Sequence, residues 1–340
     1  MRITAQLIDG TTGNHVWAER YDRPLEEVFA IQDEVTQTIA ASVAGMHGVV
    51  ARAGREVARR KPPENLHAYD NYLLGIEHKH RFTQEDNKTA KELFAKAIEI
   101  DPSFARAYVG LAMAHSVDVD NGWTSSRQQS LDNWLKALRT ALALDPSDSQ
   151  ARMMLGIYYQ YVGDLEHSLV ELEKAMSLNP NDADVIINGA WAMPWFGKPE
   201  RAAELAERAV RLNPNYPDWY NSGLLPVYFY AAQYDRALAV TQGRLTPDMW
   251  DHVYRPLVYG ELGRKADAAT AASDLVQRNP DYSAEHFLSD TGPLGRDVEL
   301  KLFLDSHRKA GLPLCATEGQ LQKFPDMKRL PECEAERARS

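Results

Sequence analysis

Three small constellations in this sequence have residue types that could do chemistry, and spacing argues against each of them. His78 and His80 stand two apart, which on a helix sends the rings to different faces, so solvated histidines are expected and not a metal pair. Asp118, Asp120 and Asn121 suggest a calcium loop, but Gly122 falls one place early and Gln129 occupies the place of the bidentate glutamate. Cys315 and Cys333 are the only cysteines. Neither lies in a CxxC or beside a histidine at metal spacing, so the pair is expected to be reduced, in a cytoplasmic protein without a disulfide. GxxxxGK[ST], HExxH, GxSxG and GxGxxG are all absent, so no catalytic, cofactor or metal residues are assigned and no cofactor is expected.

The remaining candidates are large aromatic side chains, and their use depends on the elements that carry them. Trp191 and Trp195 are four apart and share a face if their segment is helical. A repeat argues that it is. LNPN occurs twice, 34 residues apart at Pro180 and Pro214, and Pro146, Pro247 and Pro280 keep the beat in steps of 34, 33 and 33, with Pro102 preceding by 44. Such a period marks an array of one supersecondary unit. Before Pro180 the apolar residues Leu165, Leu169, Leu172, Ala175 and Met176 recur at helical spacing, and a proline stops the run by pushing its predecessor out of the α region. A second run, with Ala151, Leu155, Gly156 and Tyr159, comes before it. Each unit is therefore two helices with a tight turn. Small residues stand where the axes approach: Gly156, Ser168 and Ala175 in the third unit, Ala190, Ala202 and Ala209 in the fourth, Gly263 and Ala268 in the sixth. Ten extra residues around VDVDNGWTSSRQQ in the second unit predict a surface loop.

This pattern of small and large residues resembles the tetratricopeptide repeat. The resemblance implies a mainly α fold, an α-solenoid of about six helix pairs over 66–280. It also implies that the second, fifth, ninth, twelfth and thirteenth residues of each first helix line an inner groove. Those places point to Tyr69, Tyr72, Ile76, Val109, Met113, Met153, Ile157 and Tyr161, then Ile187, Trp191, Trp195, Trp219, Phe229, Tyr230, Trp250 and Leu257. Aromatic and methionine side chains of this kind anchor apolar peptides in desolvated pockets. A second reading has the C-terminal helix 297–310 and the tail covering the same rings. Pro194, Pro226 and Pro256 fall in the first helices of units four to six; inside a helix each would free a carbonyl four residues back, whereas Pro194 is expected to start a turn.

Ahead of the repeats, RITAQLID and HVWAERYD alternate around the turn-rich DGTTGN and predict a β-hairpin. Residues 23–45, with Pro24 in the first turn and Phe29, Ile31, Val35 and Ile39 among the apolar positions, predict a helix. The domain map is thus a short α/β remnant (1–50), a basic linker (51–65), repeats (66–280), a C-terminal capping helix region (281–311) and a tail (312–340). The net charge is −10, and residues 1–62 carry 8 basic and 8 acidic residues, so the rest of the chain, mostly repeats, holds all of the excess. An acidic array disfavours nucleic acid as a partner. No stretch reads as a signal peptide or a membrane span.

RITAQLIDGTTGNHVWAERYDRPLEEVFAIQDEV, AYDNYLLGIEHKHRFT and FLDSHRKAGLP, in that order, are similar to the rear half of a bacterial protein group. Its members join a class III adenylate/guanylate cyclase domain, or a winged-helix DNA-binding domain, to a TolB-like α/β domain and then tetratricopeptide repeats. The cyclase motif Phe-x-Asp-Ile-x-Gly-Phe has no counterpart here; KFPDMKR around Asp326 lacks the glycine. The resemblance implies a non-catalytic protein-interaction and regulatory region of a cyclase-related signalling protein, binding a protein or apolar peptide. The alternative is the rear half of a winged-helix transcriptional regulator.

Overall fold

The computed structural model describes residues 2–8, 10, 13, 15–22, 39, 49–242, 248–291 and 297–337. β1 (Arg2–Ile8) and β2 (His15–Asp22) form the expected antiparallel hairpin, with Leu7 opposite Trp17 and Ala5 opposite Glu19. The helix expected over 23–45 lies, apart from Ile39, outside the described residues. Helix α1 (Val49–Ala58) overrides much of the linker expected at 51–65. It buries Val49, Ala51 and Ala58, so this segment has an apolar side to pack and is not a solvated spacer.

Helix pairs in series follow, the architecture of an α-solenoid: α2 (Ala68–Lys79), α3 (Gln84–Ile100), α4 (Ala105–Asp120), α5 (Arg127–Leu144), α6 (Ser149–Tyr161), α7 (Leu165–Leu178), α8 (Ala183–Ala192) and α9 (Pro199–Leu212). The series continues with α10 (Tyr220–Tyr230), α11 (Tyr234–Thr241), α12 (Met249–Glu261), α13 (Lys265–Arg278), α14 (Ala284–Thr291), α15 (Asp297–Ala310), α16 (Glu318–Lys323) and α17 (Pro331–Arg337). The chain divides into two compact units. The first comprises Met1–Tyr158, Glu171–Ile186 and Arg208–Asn215, and the second Tyr159–Val170, Ile187–Glu207 and Tyr216–Ser340.

The proline beat has one structural cause. α3, α5, α7, α9 and α13 each end two residues before a proline. The residue between them closes the helix by donating its N–H to a carbonyl four back: Asp101 to Ala97, Asp145 to Ala141, Asn179 to Ala175, Asn213 to Ala209 and Asn279 to Leu275, all at 2.8–3.2 Å. The proline then cannot continue the helix. Pro247 lies outside the described residues. Within the pairs, Ser168, Ala175, Ala190, Ala202 and Ala209 are fully buried. In the first unit the Phe94 ring fills a slot between Gly75 and Gly110; a Cβ built on either glycine would lie 2.6 or 2.4 Å from that ring. Pro226 and Pro256 sit inside α10 and α12, while Pro194 belongs to a 3-10 turn, Met193–Phe196.

Two expectations change. The extra residues of the second repeat lengthen its helices instead of forming a long loop, because α4 runs to Asp120 and α5 begins at Arg127 under a Ser126 cap. The cysteines are joined: Cys315–Cys333 is a disulfide with a Cα–Cα distance of 5.4 Å. The spacing rule fails here because bridging depends on how the tail folds back and not on sequence separation. The cysteine argument for a reducing compartment therefore no longer holds.

Candidate interaction surfaces

In the first unit, Tyr69 is 48% exposed and stacks on Tyr72 at 6.2 Å, with Phe104 beside both rings. Tyr72, Met113 and Met153 are buried. They face charge as well as apolar surface. Arg106, at the second place of its helix, pairs through Nε with the buried Asp148 at 2.6 Å, donates to Gln150 Oε1 at 2.8 Å and also bonds the Tyr72 hydroxyl. Burial pushes that hydroxyl up to about 12. Lys79, at a twelfth place, has its ammonium pushed down to about 8 by burial, against the opposing pull of Asp184 and Asp120. Choosing only the apolar members of the inner-face places missed these residues, although the same register points to them.

The second unit gathers the tryptophans. Trp191 lies 5.0 Å from Trp195 and edge-on to Trp250 at 5.1 Å, and Trp195 meets Trp250 at 6.1 Å and Tyr230 at 6.2 Å. Gly223 of α10 lies beside Ile187 and Trp191, where a Cβ would meet the Ile187 and Trp191 side chains at ordinary contact distances of 3.5 and 3.7 Å. Burial among the aromatic residues of this unit grades from open to closed. Trp191, Trp219 and Trp250 are half-buried, whereas Tyr161, Trp195, Phe229 and Tyr230 are buried, Trp195 and Phe229 completely. Trp219 stacks edge-on against its neighbour Tyr220 at 4.5 Å. From Trp250 the ring contacts continue to Tyr254 and Phe287, and through Phe287 at 5.7 Å to Phe303 of α15. The C-terminal helix thus extends this aromatic core. The half-buried Trp191 and Trp250 stay at its margin.

The small constellations are used internally. His78 Nδ1 is 2.7 Å from Asp86 and His80 Nδ1 is 2.6 Å from the Ile76 carbonyl, so both rings are half-buried and engaged, not solvated. Asp118 is buried, accepting from Asn87 at 2.7 Å and pairing with Lys91. Among the described residues no group of three or more His, Cys, Asp or Glu side chains is placed to hold a metal.

A tetratricopeptide repeat family model matches residues 149–182, the α6–α7 pair. A Rhizobium meliloti (strain 1021) protein named "Putative adenylate cyclase 3" is 33% identical over 168 residues, 49% of this chain. The chain spans 28% of the length of that relative. Among solved structures, the APC/C hetero-tetramer Cut9-Hcn1 is similar over 80% of this chain and 48% of that one, at 16% identity and a TM-score of 0.51. Pseudomonas aeruginosa pilF is similar over 67% of this chain and 95% of that one, at 20% identity and a TM-score of 0.42. No helix among the described residues is long and apolar enough to cross a membrane.

Proposed function

We propose that this chain is a non-catalytic protein-binding and regulatory region of an adenylate cyclase-related signalling protein. Tetratricopeptide repeats present extended faces of first helices to protein partners, and the cyclase link follows the name of the Rhizobium meliloti relative. The observation that carries the binding role is the Trp191–Trp250 pair, half-buried and edge-to-face at 5.1 Å on a bed containing the fully buried Trp195. Rings held this way offer large area with little entropy left to lose, as binding hot spots do. The ligand we assign is an apolar or aromatic peptide segment of a partner protein. In the first unit, Tyr69 and Arg106 serve the same purpose with a polar component.

Two experiments test this reading. A display library of short peptides selected on the full chain should yield apolar or aromatic motifs, and Trp191→Ala should weaken them at least tenfold while melting stays within a few degrees of wild type. Retained binding in that variant would remove the tryptophan face from the proposal. Purified chain given ATP or GTP with Mg²⁺ or Mn²⁺ should form no cyclic nucleotide; turnover that co-elutes with the protein through repurification would overturn the non-catalytic assignment.

A further inference from the structure

The second unit ends in a covalently closed tail. After Gly311, at φ 73°, the chain turns back along α14. There the Pro313 and Leu314 carbonyls accept the Ala284 and Glu285 N–H groups at 3.0 and 2.9 Å. These are first-turn donors that a helix N-terminus leaves without intrahelical partners. The Glu285 carboxylate is fully buried and draws both arms of the loop to one point. One oxygen accepts from Ala316 N at 2.9 Å, and the other from Arg329 Nε at 2.7 Å and Leu330 N at 2.9 Å. Lys328 N donates to Ser289 Oγ at 2.9 Å, and the Phe324 ring lies 4.3 Å from that of His286. Cys315, one residue before the first arm, and Cys333, three after the second, close the loop.

We propose that Cys315–Cys333 is a redox latch that holds the tail as a cap on α14. Helices of six and seven residues, α16 and α17, are too short to persist alone. The bonds to α14 come from the segments beside them, 313–316 and 328–330, while α16 and α17 themselves add Lys323 with Asp281 and Glu332 with Arg308 of α15, so closing a loop across a sequence separation of 18 supplies much of the ordering. Cys315 is half-exposed while Cys333 is buried, which makes Cys315 Sγ the sulfur open to attack. A thiolate of a dithiol reductant bonds to Cys315 Sγ, and the S–S bond breaks with its electron pair leaving on Cys333, which takes a proton. The reductant's second thiol, losing its proton, then displaces Cys315, which is protonated in turn, and the reductant leaves as its own disulfide. Two electrons and two protons have passed to the protein. The freed tail gives up its acceptors, and the first turn of α14 opens.

Hydrogen exchange on the full chain, with and without a dithiol reductant, tests this. Exchange at Ala284, Glu285 and 312–330 should rise on the order of a hundredfold on reduction, with residues 68–120 unchanged. A variant carrying Cys315→Ser and Cys333→Ser should show the open pattern without reductant and no further response. The latch is overturned if intact mass shows two free thiols in the oxidised protein, or if reduction confirmed by mass leaves exchange in α14 unchanged. Acceleration that spreads evenly over the whole second unit would also overturn it, because the bond would then be supporting the fold at large.

Discussion

At the residue scale, His307 is the most fully specified titratable group. Its Nδ1–H donates to the Phe303 carbonyl at 2.8 Å, and its Nε2 accepts from the Tyr282 hydroxyl at 2.7 Å. Burial pushes the imidazole down to about 4, against about 6.5 in the unfolded chain. The unfolded state therefore binds more protons between those values. The contribution is fully present above about pH 6.5 and is lost as pH falls toward 4, by roughly 3 kcal/mol in all. Urea midpoints at pH 7 and pH 5 should show a drop that a His307→Gln variant, less stable at pH 7, does not share. Trp195 gives a second residue-level outcome. Being completely buried, it should lose about 3–5 kcal/mol of stability on truncation to alanine, while the half-buried Trp191 should lose much less. Comparable melting losses in the two variants would mean that Trp191 is core as well.

At the scale of the element, the turns inside the helix pairs share one closure. Gly163, Gly197 and Gly263, at φ of 82°, 64° and 69°, each donate to a carbonyl three back. The α10–α11 turn makes the same bonds, with Ala232 N to Phe229 O and Gln233 N to Tyr228 O, yet places an alanine at φ 55°. That conformation costs a residue with a Cβ about 1 kcal/mol. Ala232→Gly should accordingly raise the melting temperature, and a decrease would show that the alanine methyl earns its place by packing. The opposite change, Gly110→Ala, puts a methyl into the Phe94 slot, where the ring is fully buried and also blocked by Gly75. A loss of about 1–3 kcal/mol is expected, visible as a lower urea midpoint.

At the scale of the whole molecule, two compact units built from helix pairs predict unfolding that is not all-or-none, since neighbour contacts carry most of the cooperativity of repeat arrays. Four of the seven tryptophans, Trp191, Trp195, Trp219 and Trp250, belong to the second unit. Tryptophan fluorescence should thus report mainly that unit, whereas far-ultraviolet circular dichroism reports helices of both. Urea curves from the two probes should not coincide. Superimposable curves would show that the units unfold as one.

The period of prolines, the alternation of RITAQLI and the small residues at helix crossings determined by themselves the hairpin, the helix pairs and the C-terminal helix Asp297–Ala310. These are local signals: a proline ends its own helix, and a period places residues on a face whatever lies opposite. The same register reached the aromatic residues of the surface, but not their depth. Whether Trp195 is core and Trp191 margin depends on Trp250 and Tyr230, which arrive from other helices. The charged members of the first unit's face were passed over for a similar reason, since Arg106 is held there by Asp148, 42 residues on by number. The disulfide lay furthest from reach. Only the return of the tail along α14, drawn to the buried Glu285, brings Cys315 and Cys333 together, because long-range proximity comes from packing and leaves no mark in local spacing.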